Sequence, residues 1–342
     1  MSTPTITALL AGAGIAPRLY HLGRRVAPCS AEHFQAFEEQ RIAWSHPWQG
    51  SARLALVVTP APQREPVIWC LSLPLDEHAM LIPAKRDGFI ERLLMAQARD
   101  EQGRLDLESA ADGLKNVAIA FQPDQKTLSL LHARLSWDLD RPPSRHYASA
   151  RAYLTGIDRA TDWATLGLQG VADFTARRTI DEEEALAAAL PGLADEALLA
   201  LGECLAHAPP QTDALIEALM ARYRATAHPA LSQACLGAAL ASDRAVAADR
   251  LDRLLSEGPH DALFYAVVAA RGWHHLEHER RPGEYLKGLA GLDARDFQTL
   301  VRDLILIPRL RLPVTMALRQ APDDSALAHQ VAAIKGLDKE GS

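Results

Sequence analysis

The sequence predicts an α+β N-terminal domain followed by an all-α helical array, either a HEAT-like α-solenoid or a helical bundle. Three observations predict it. Two apolar runs of strand length, ARLALVVTP (52–60) and PVIWCLSLP (66–74), flank a short polar turn, the pattern of a β-hairpin. The double proline in DRPPSRHY (140–147) cannot continue a helix and marks a joint. Beyond it strand signals nearly vanish, and alanine- and leucine-rich segments of helix length run between prolines at 191, 209, 229, 259, 282, 308 and 322.

These signals divide the chain into a small α+β domain (1–140), a Pro-rich joint (141–149), a helical repeat-like domain (150–335) and a polar tail (336–342). The apolar stretch from Ile6 to Ala16 reads as a short buried helix that stops at Pro17. It lacks the basic flank of a signal peptide, and no stretch reaches the length of a membrane span. RLYHLG (18–23) reads as a strand, and SAEHFQAFEEQR (30–41) as a helix with Phe34 and Phe37 on one face. Lys85–Ala98 carries Phe89, Ile90, Leu93 and Leu94 at helical spacing. Trp44, Trp48, Trp69 and Trp137 concentrate large aromatics in this half, as one compact core of sheet and helices requires.

In the second half, Thr179 and Glu182 match a capping box, and Asp181, Glu183 and Glu184 add negative charge at the positive end of the same helix. Leu215, Ile216, Leu219, Met220 and Tyr223 form one apolar stripe, and Phe297, Leu300, Val301, Leu304 and Ile305 another. No residue motif aligns from one helix pair to the next, which HEAT-like repeats tolerate because they need little beyond apolar positions.

Composition narrows the function. The chain has 342 residues, 48% hydrophobic and 23% charged, with a formal net charge of −7, so it lacks the basic footprint of a nucleic-acid binder. Cys29, Cys70, Cys204 and Cys235 form no C-x-x-C pair and suit free thiols in a reducing cytoplasm. There is no G-x-S-x-G elbow and no phosphate-binding P-loop, and AGAGIA (11–16) lacks the third glycine and preceding strand of a dinucleotide site. The motifs call for no cofactor.

One motif invites a metal. GWHHLEHER (272–280) contains His274, Glu277 and His278 in H-x-x-E-H order, the signature of a zinc metalloprotease family. Asp261–Arg280 reads as one long helix, on which both histidines share a face one turn apart and Glu277 can act as general base. A catalytic zinc needs a third protein ligand, and the acids downstream, Glu284 and Glu340, do not sit on an obvious second ligand-bearing helix. His274 also continues the stripe of Leu263, Val267 and Ala270, where a hydrogen-bonded core histidine is the simpler expectation. The expectation is therefore no metal.

Arg24 and Arg25 after Gly23, and Arg145 and Tyr147 after the double proline, are the candidate anchors for a partner, because arginine forks suit planar anions. With no complete catalytic set, the leading expectation is a non-catalytic binding or scaffold protein whose helical surface holds a protein partner. An enzyme of unrecognised type, with its site between the two parts, is the first alternative, and the metalloprotease the second.

Several segments carry a family resemblance: LGRRV (22–26), LPLDE (73–77), KRDGFIERLL (85–94), FQPDQ (121–125), PPSRHYASARAYLTG (142–156) and LGLQGVAD (166–173). In this order they are similar to a bacterial family of uncharacterised proteins, domain of unknown function 3549. The resemblance implies a bacterial cytosolic protein and carries no activity, cofactor or site residue with it.

Overall fold

The computed structural model of the chain describes residues 4–59, 65–95, 119–278, 280–322 and 325–340. The chain divides into two compact units, residues 1–127 with 306–308, and residues 128–305 with 309–342.

The first unit is built on a four-stranded antiparallel sheet in the order β2-β1-β3-β4, with β1 Arg18–Leu22, β2 Val26–Cys29, β3 Ser51–Val58 and β4 Val67–Pro74. The expected hairpin is β3 with β4, in a register that sets Ala52 opposite Leu73 and Leu54 opposite Leu71. Its predicted turn residues, 60–64, lie outside the described residues. The short strand β2 was not predicted. It contains Pro28, which cannot donate to a ladder, and it is tolerated because β2 is an edge strand.

Helices α1 (Ile6–Gly12), α2 (Ala31–Glu38) and α3 (Pro83–Met95) supply the rest of the core, where Ile6, Leu10, Phe34, Phe37, Trp44 and Phe89 pack with Leu54, Leu71 and Leu73 of the sheet. Glu38 is buried at the end of α2 and accepts hydrogen bonds from the backbone N–H of Ile6 (2.7 Å) and Thr7 (2.9 Å). A carboxylate from one helix thus satisfies the exposed donors at the start of another.

Helices are the only regular elements among the second unit's described residues. After α4 (Gln125–Asp138), α5 (Tyr147–Leu154) and α6 (Gly167–Arg177) come α7 (Ile180–Ala189), α8 (Asp195–Leu205), α9 (Asp213–Ala225) and α10 (Pro229–Leu240). They are followed by α11 (Ala245–Ser256), α12 (Ala262–Arg271), α13 (Arg281–Leu289), α14 (Ala294–Leu306), α15 (Pro308–Arg319) and α16 (Ala326–Glu340). The division between the units falls inside α4, ahead of the expected joint at 141–149. Most of α4 belongs to the second unit: Gln169 donates to the Ser129 carbonyl (3.2 Å), and Arg177 lies over the Trp137 ring (5.4 Å) and donates to the Arg141 carbonyl (2.7 Å).

The prolines act as punctuation. Pro229, Pro282 and Pro308 open helices, where a missing N–H costs nothing. The Thr179–Glu182 capping box forms as predicted. Leu215, Ile216, Leu219 and Met220 are buried, with Tyr223 half-buried.

The packing is serial. α7, α9, α11 and α13 stack in one layer, each on the helix two places on, and α6, α8, α10 and α12 stack in a second. Of the two predicted arrangements this is the solenoid. All four cysteines are free; burial pushes the thiols of Cys29 and Cys235 up to about 12 and that of Cys70 to about 11. No helix among the described residues is long and apolar enough to cross a membrane.

Candidate functional site

Of the four arginine and tyrosine anchors expected from the sequence, Arg24 and Arg25 lie in the first unit and Arg145 and Tyr147 in the second. Arg24 is fully buried in the β1–β2 turn, where its Nε donates to the Pro47 carbonyl (2.9 Å) and its guanidinium lies 5.6 Å from the Trp48 ring. A Cβ on Gly23 would meet the Trp48 Cβ at 2.8 Å, so only glycine lets this turn close on the 46–48 segment. Arg24 is thus a packing residue, out of a partner's reach, and Arg25 is half-buried beside it. Arg145 is exposed, with its Nε 3.2 Å from His146 Nε2. Tyr147 opens α5, half-buried, its phenol pushed above the usual range by burial and by the Glu182 carboxylate.

The H-x-x-E-H segment does not continue one long α-helix as expected. α12 ends at Gly272, residues 273–277 form a 3-10 turn, and His278 has extended backbone (φ −80°, ψ 137°). Gly272 caps α12 with φ −101° and ψ 12°, and a side chain there would press on Leu240 Cβ at 3.1 Å. His274 and His278 therefore do not share a helical face, and no group of three or more His, Cys, Asp or Glu among the described residues is arranged to hold a metal ion. His274 Nε2 instead lies 3.0 Å from Asp243 Oδ1 and 3.4 Å from the Ser242 carbonyl. Buried His275 donates through Nε2 to the Leu240 carbonyl (3.1 Å), and Arg309 reaches Glu277 at 3.4 Å.

These contacts belong to a ladder that the sequence did not disclose. Ser242 donates to the Pro210 carbonyl, 32 positions earlier, and His274 to the Ser242 carbonyl, again 32 positions earlier. In the preceding turn Arg178 donates to the carbonyls of Ala208 (2.9 Å) and Pro209 (2.8 Å). Ion pairs run alongside: Arg250 with Glu217, Arg244 with Asp213, and Arg281 with Asp252. Each rung ties one helix pair to the next. The repeat is cryptic because the rungs share position and not residue type.

Past α13 the regular stacking changes, and a groove of about 930 Å³ opens, lined by residues of α13, α15 and the start of α16. Its apolar lining includes Leu312, Pro313, Met316 and Leu327, and its charged lining is Glu277 and Lys287. Leu312 is 68% exposed and Met316 42%, high values for large apolar side chains. Pro313 stands inside α15 and removes one helical N–H from it.

A second cluster lies in the first unit. His21 of β1 is buried, with its ring centroid 4.5 Å from that of His46, 4.7 Å from Trp44 and 6.1 Å from His33. Ser45 Oγ is 2.7 Å from His46 Nδ1 and 3.3 Å from His33 Nε2. Burial, then the His46 and His33 rings, hold His21 down to about 3, and burial also lowers His33. The members of this group come from a strand, a helix and a loop, so no local pattern in the sequence links them.

A family model described as "Protein of unknown function (DUF3549)" matches residues 2–337. The chain belongs to this family. No curated protein and no solved structure matches it. Segments that carry the DUF3549 resemblance meet in space: the Ser144 N–H donates to buried Asp173 (2.8 Å), and a Cβ on Gly170 would meet the His146 carbonyl oxygen at 2.7 Å. At these DUF3549 positions PPSRHY and LGLQGVAD are thus packing partners.

Proposed function

We propose that the helical unit is a non-catalytic binding surface, and that the groove lined by Leu312, Pro313, Met316 and Leu327 receives the apolar face of a helix from a protein partner. The observation that carries this reading is the pairing of an apolar groove with two large, exposed apolar side chains on one helix. Along the array Leu215, Ile216, Leu219 and Met220 are buried, whereas Leu312 and Met316 line open space. An amphipathic helix seats residues spaced i, i+3/i+4 and i+7 into a trough of this kind. The net charge of −7 favours a basic or neutral partner over bare nucleic acid. Shielded free thiols suit a reducing cytoplasm.

The test compares the full chain with its Leu312→Glu, Met316→Glu double variant as bait, using Arg224→Ala as a surface control. A partner retained by the full chain and the control, lost from the groove variant at unchanged melting temperature, and photo-crosslinked to position 316 supports the reading. Equal retention by all three baits overturns it.

A further inference from the structure

We propose that Ser45 is the nucleophile of a separate catalytic site in the first unit, one that hydrolyses small carboxylic esters with His46 as proton acceptor. The geometry at one oxygen carries the proposal. Ser45 Oγ lies 2.7 Å from His46 Nδ1 and 3.3 Å from His33 Nε2. A hydroxyl has one proton and two acceptor lone pairs. The shorter contact directs the proton to His46, leaving oxygen density for attack, and an N–H on His33 can donate to the same oxygen. Nucleophile and base within hydrogen-bond reach is the minimum constellation for acyl transfer.

The surroundings suit that task. His33 is held below its ordinary value by burial, and His21, whose ring lies tilted against that of His46 at 4.5 Å, to about 3. Both are therefore neutral at neutral pH and add no charge that would repel a proton arriving on His46. Trp44, fully buried, donates its backbone N–H to the Ala79 carbonyl (2.8 Å) and pins the chain immediately before Ser45. Trp48 and Ser51 exchange backbone hydrogen bonds (2.9 and 3.1 Å) and pin it again beyond His46. Ser45, His33 and His46 are each half-buried. The Ser45 backbone N–H donates to no group among the described residues, which leaves a donor at the nucleophile itself for a developing oxyanion.

The reaction runs in two halves. The Ser45 Oγ–carbon bond forms as the Oγ proton moves to His46 Nδ1. The tetrahedral intermediate then collapses, the ester C–O bond breaks, and the same proton passes to the departing alkoxide, releasing an alcohol. A water molecule gives its proton to His46 and attacks the acyl-serine, and that proton returns to Ser45 Oγ as the carboxylic acid leaves. No oxidant or second substrate beyond water enters. An alkoxide needs less help in leaving than an amine, which fits a histidine base.

The full-length protein is treated with a fluorophosphonate, mapped by peptide mass spectrometry, and assayed with p-nitrophenyl acetate. The expected result is one phosphonate on Ser45, and measurable ester turnover. Ser45→Ala should abolish the label and lower turnover at least about 100-fold, and His46→Gln should lower both while the melting temperature holds. Failure of the unmodified chain to label at Ser45, under conditions that label a reference serine esterase, overturns the proposal without any variant. Turnover that persists in Ser45→Ala overturns it as well. Neither result bears on the helical groove.

Discussion

The Ser242 hydroxyl donates to the Pro210 carbonyl at 2.7 Å, across 32 residues of sequence. Ser242 then passes the relationship on, since its own carbonyl accepts from His274. The bond is buried and joins the loop between two helix pairs to the loop of the pair before. Ser242→Ala should strand the Pro210 carbonyl and lower stability by about 1–3 kcal/mol in urea unfolding. Arg224→Ala breaks only the half-exposed pair with Glu257 and should cost about 1 kcal/mol or less.

Glu183 is the most heavily used carboxylate of the ladder. It pairs with Arg178 at 2.7 Å, both nearly inaccessible to solvent, and accepts from the backbone N–H groups of Gln211 (2.8 Å) and Thr212 (2.9 Å). Burial alone already pulls the Arg178 guanidinium below its ordinary value, and the carboxylate opposes that. Glu183→Ala leaves this cation buried without its counter-charge and should cost about 3–5 kcal/mol. A variant that unfolds at the wild-type denaturant midpoint would show that the pair is solvated.

Acid should weaken both units. His21 and His275 are each held at about 3, chiefly by burial, against an ordinary value of 6.5. The unfolded chain takes up protons that the folded chain refuses, so stability is full above about pH 6.5 and falls as pH drops toward 3. At pH 5.5 each histidine should account for about 1.4 kcal/mol of loss. His21→Phe should flatten the pH dependence of the first unit. His275→Gln should do so in the second while keeping a donor for Leu240. Melting temperatures at pH 7.5 and 5.5 give the comparison.

A methyl group at position 288 should be costly. Gly288 lies so close to the Tyr265 ring that an added Cβ would fall 2.1 Å from the hydroxyl oxygen, and Tyr265 is buried with little room to move. Gly288→Ala should lose about 1–3 kcal/mol. Gly88→Ala in α3, where nothing lies within 4 Å, should be neutral or gain up to about 1 kcal/mol.

Chelation should leave the melting temperature unchanged, and His274→Ala should alter stability without altering metal content, because His274 is engaged with Asp243 and Ser242. One zinc per chain, removed by that substitution, would overturn this account of the 273–277 turn.

The legible parts of the fold were those governed by neighbours in sequence. Alternating and continuous apolar residues marked β3 and β4, and Thr179 with Glu182 marked a helix start. Gly272 was an equally local signal, yet the histidine pattern around it suggested one long helix and masked the stop. β2 was hidden by Pro28, whose tolerance depends on which strand forms the sheet edge. The 32-residue ladder was illegible for another reason. A carbonyl can be met by an arginine, a serine or a histidine, so the rungs conserve geometry while residue type drifts. Of the expected anchors, Arg24 was misplaced because its burial depends on Pro47 and Trp48. The His21–Ser45 cluster and the groove exist only once distant segments meet.

The shielding of the native thiols has a practical consequence. A thiol reacts as its thiolate, and at neutral pH Cys29, Cys70 and Cys235 are almost wholly protonated while Cys204 is sealed from solvent. An introduced Met316→Cys would stand alone as a fast-alkylating group on an otherwise silent chain. Its dye would sit in the groove, and a change in its emission would report occupancy in real time, with no native cysteine removed.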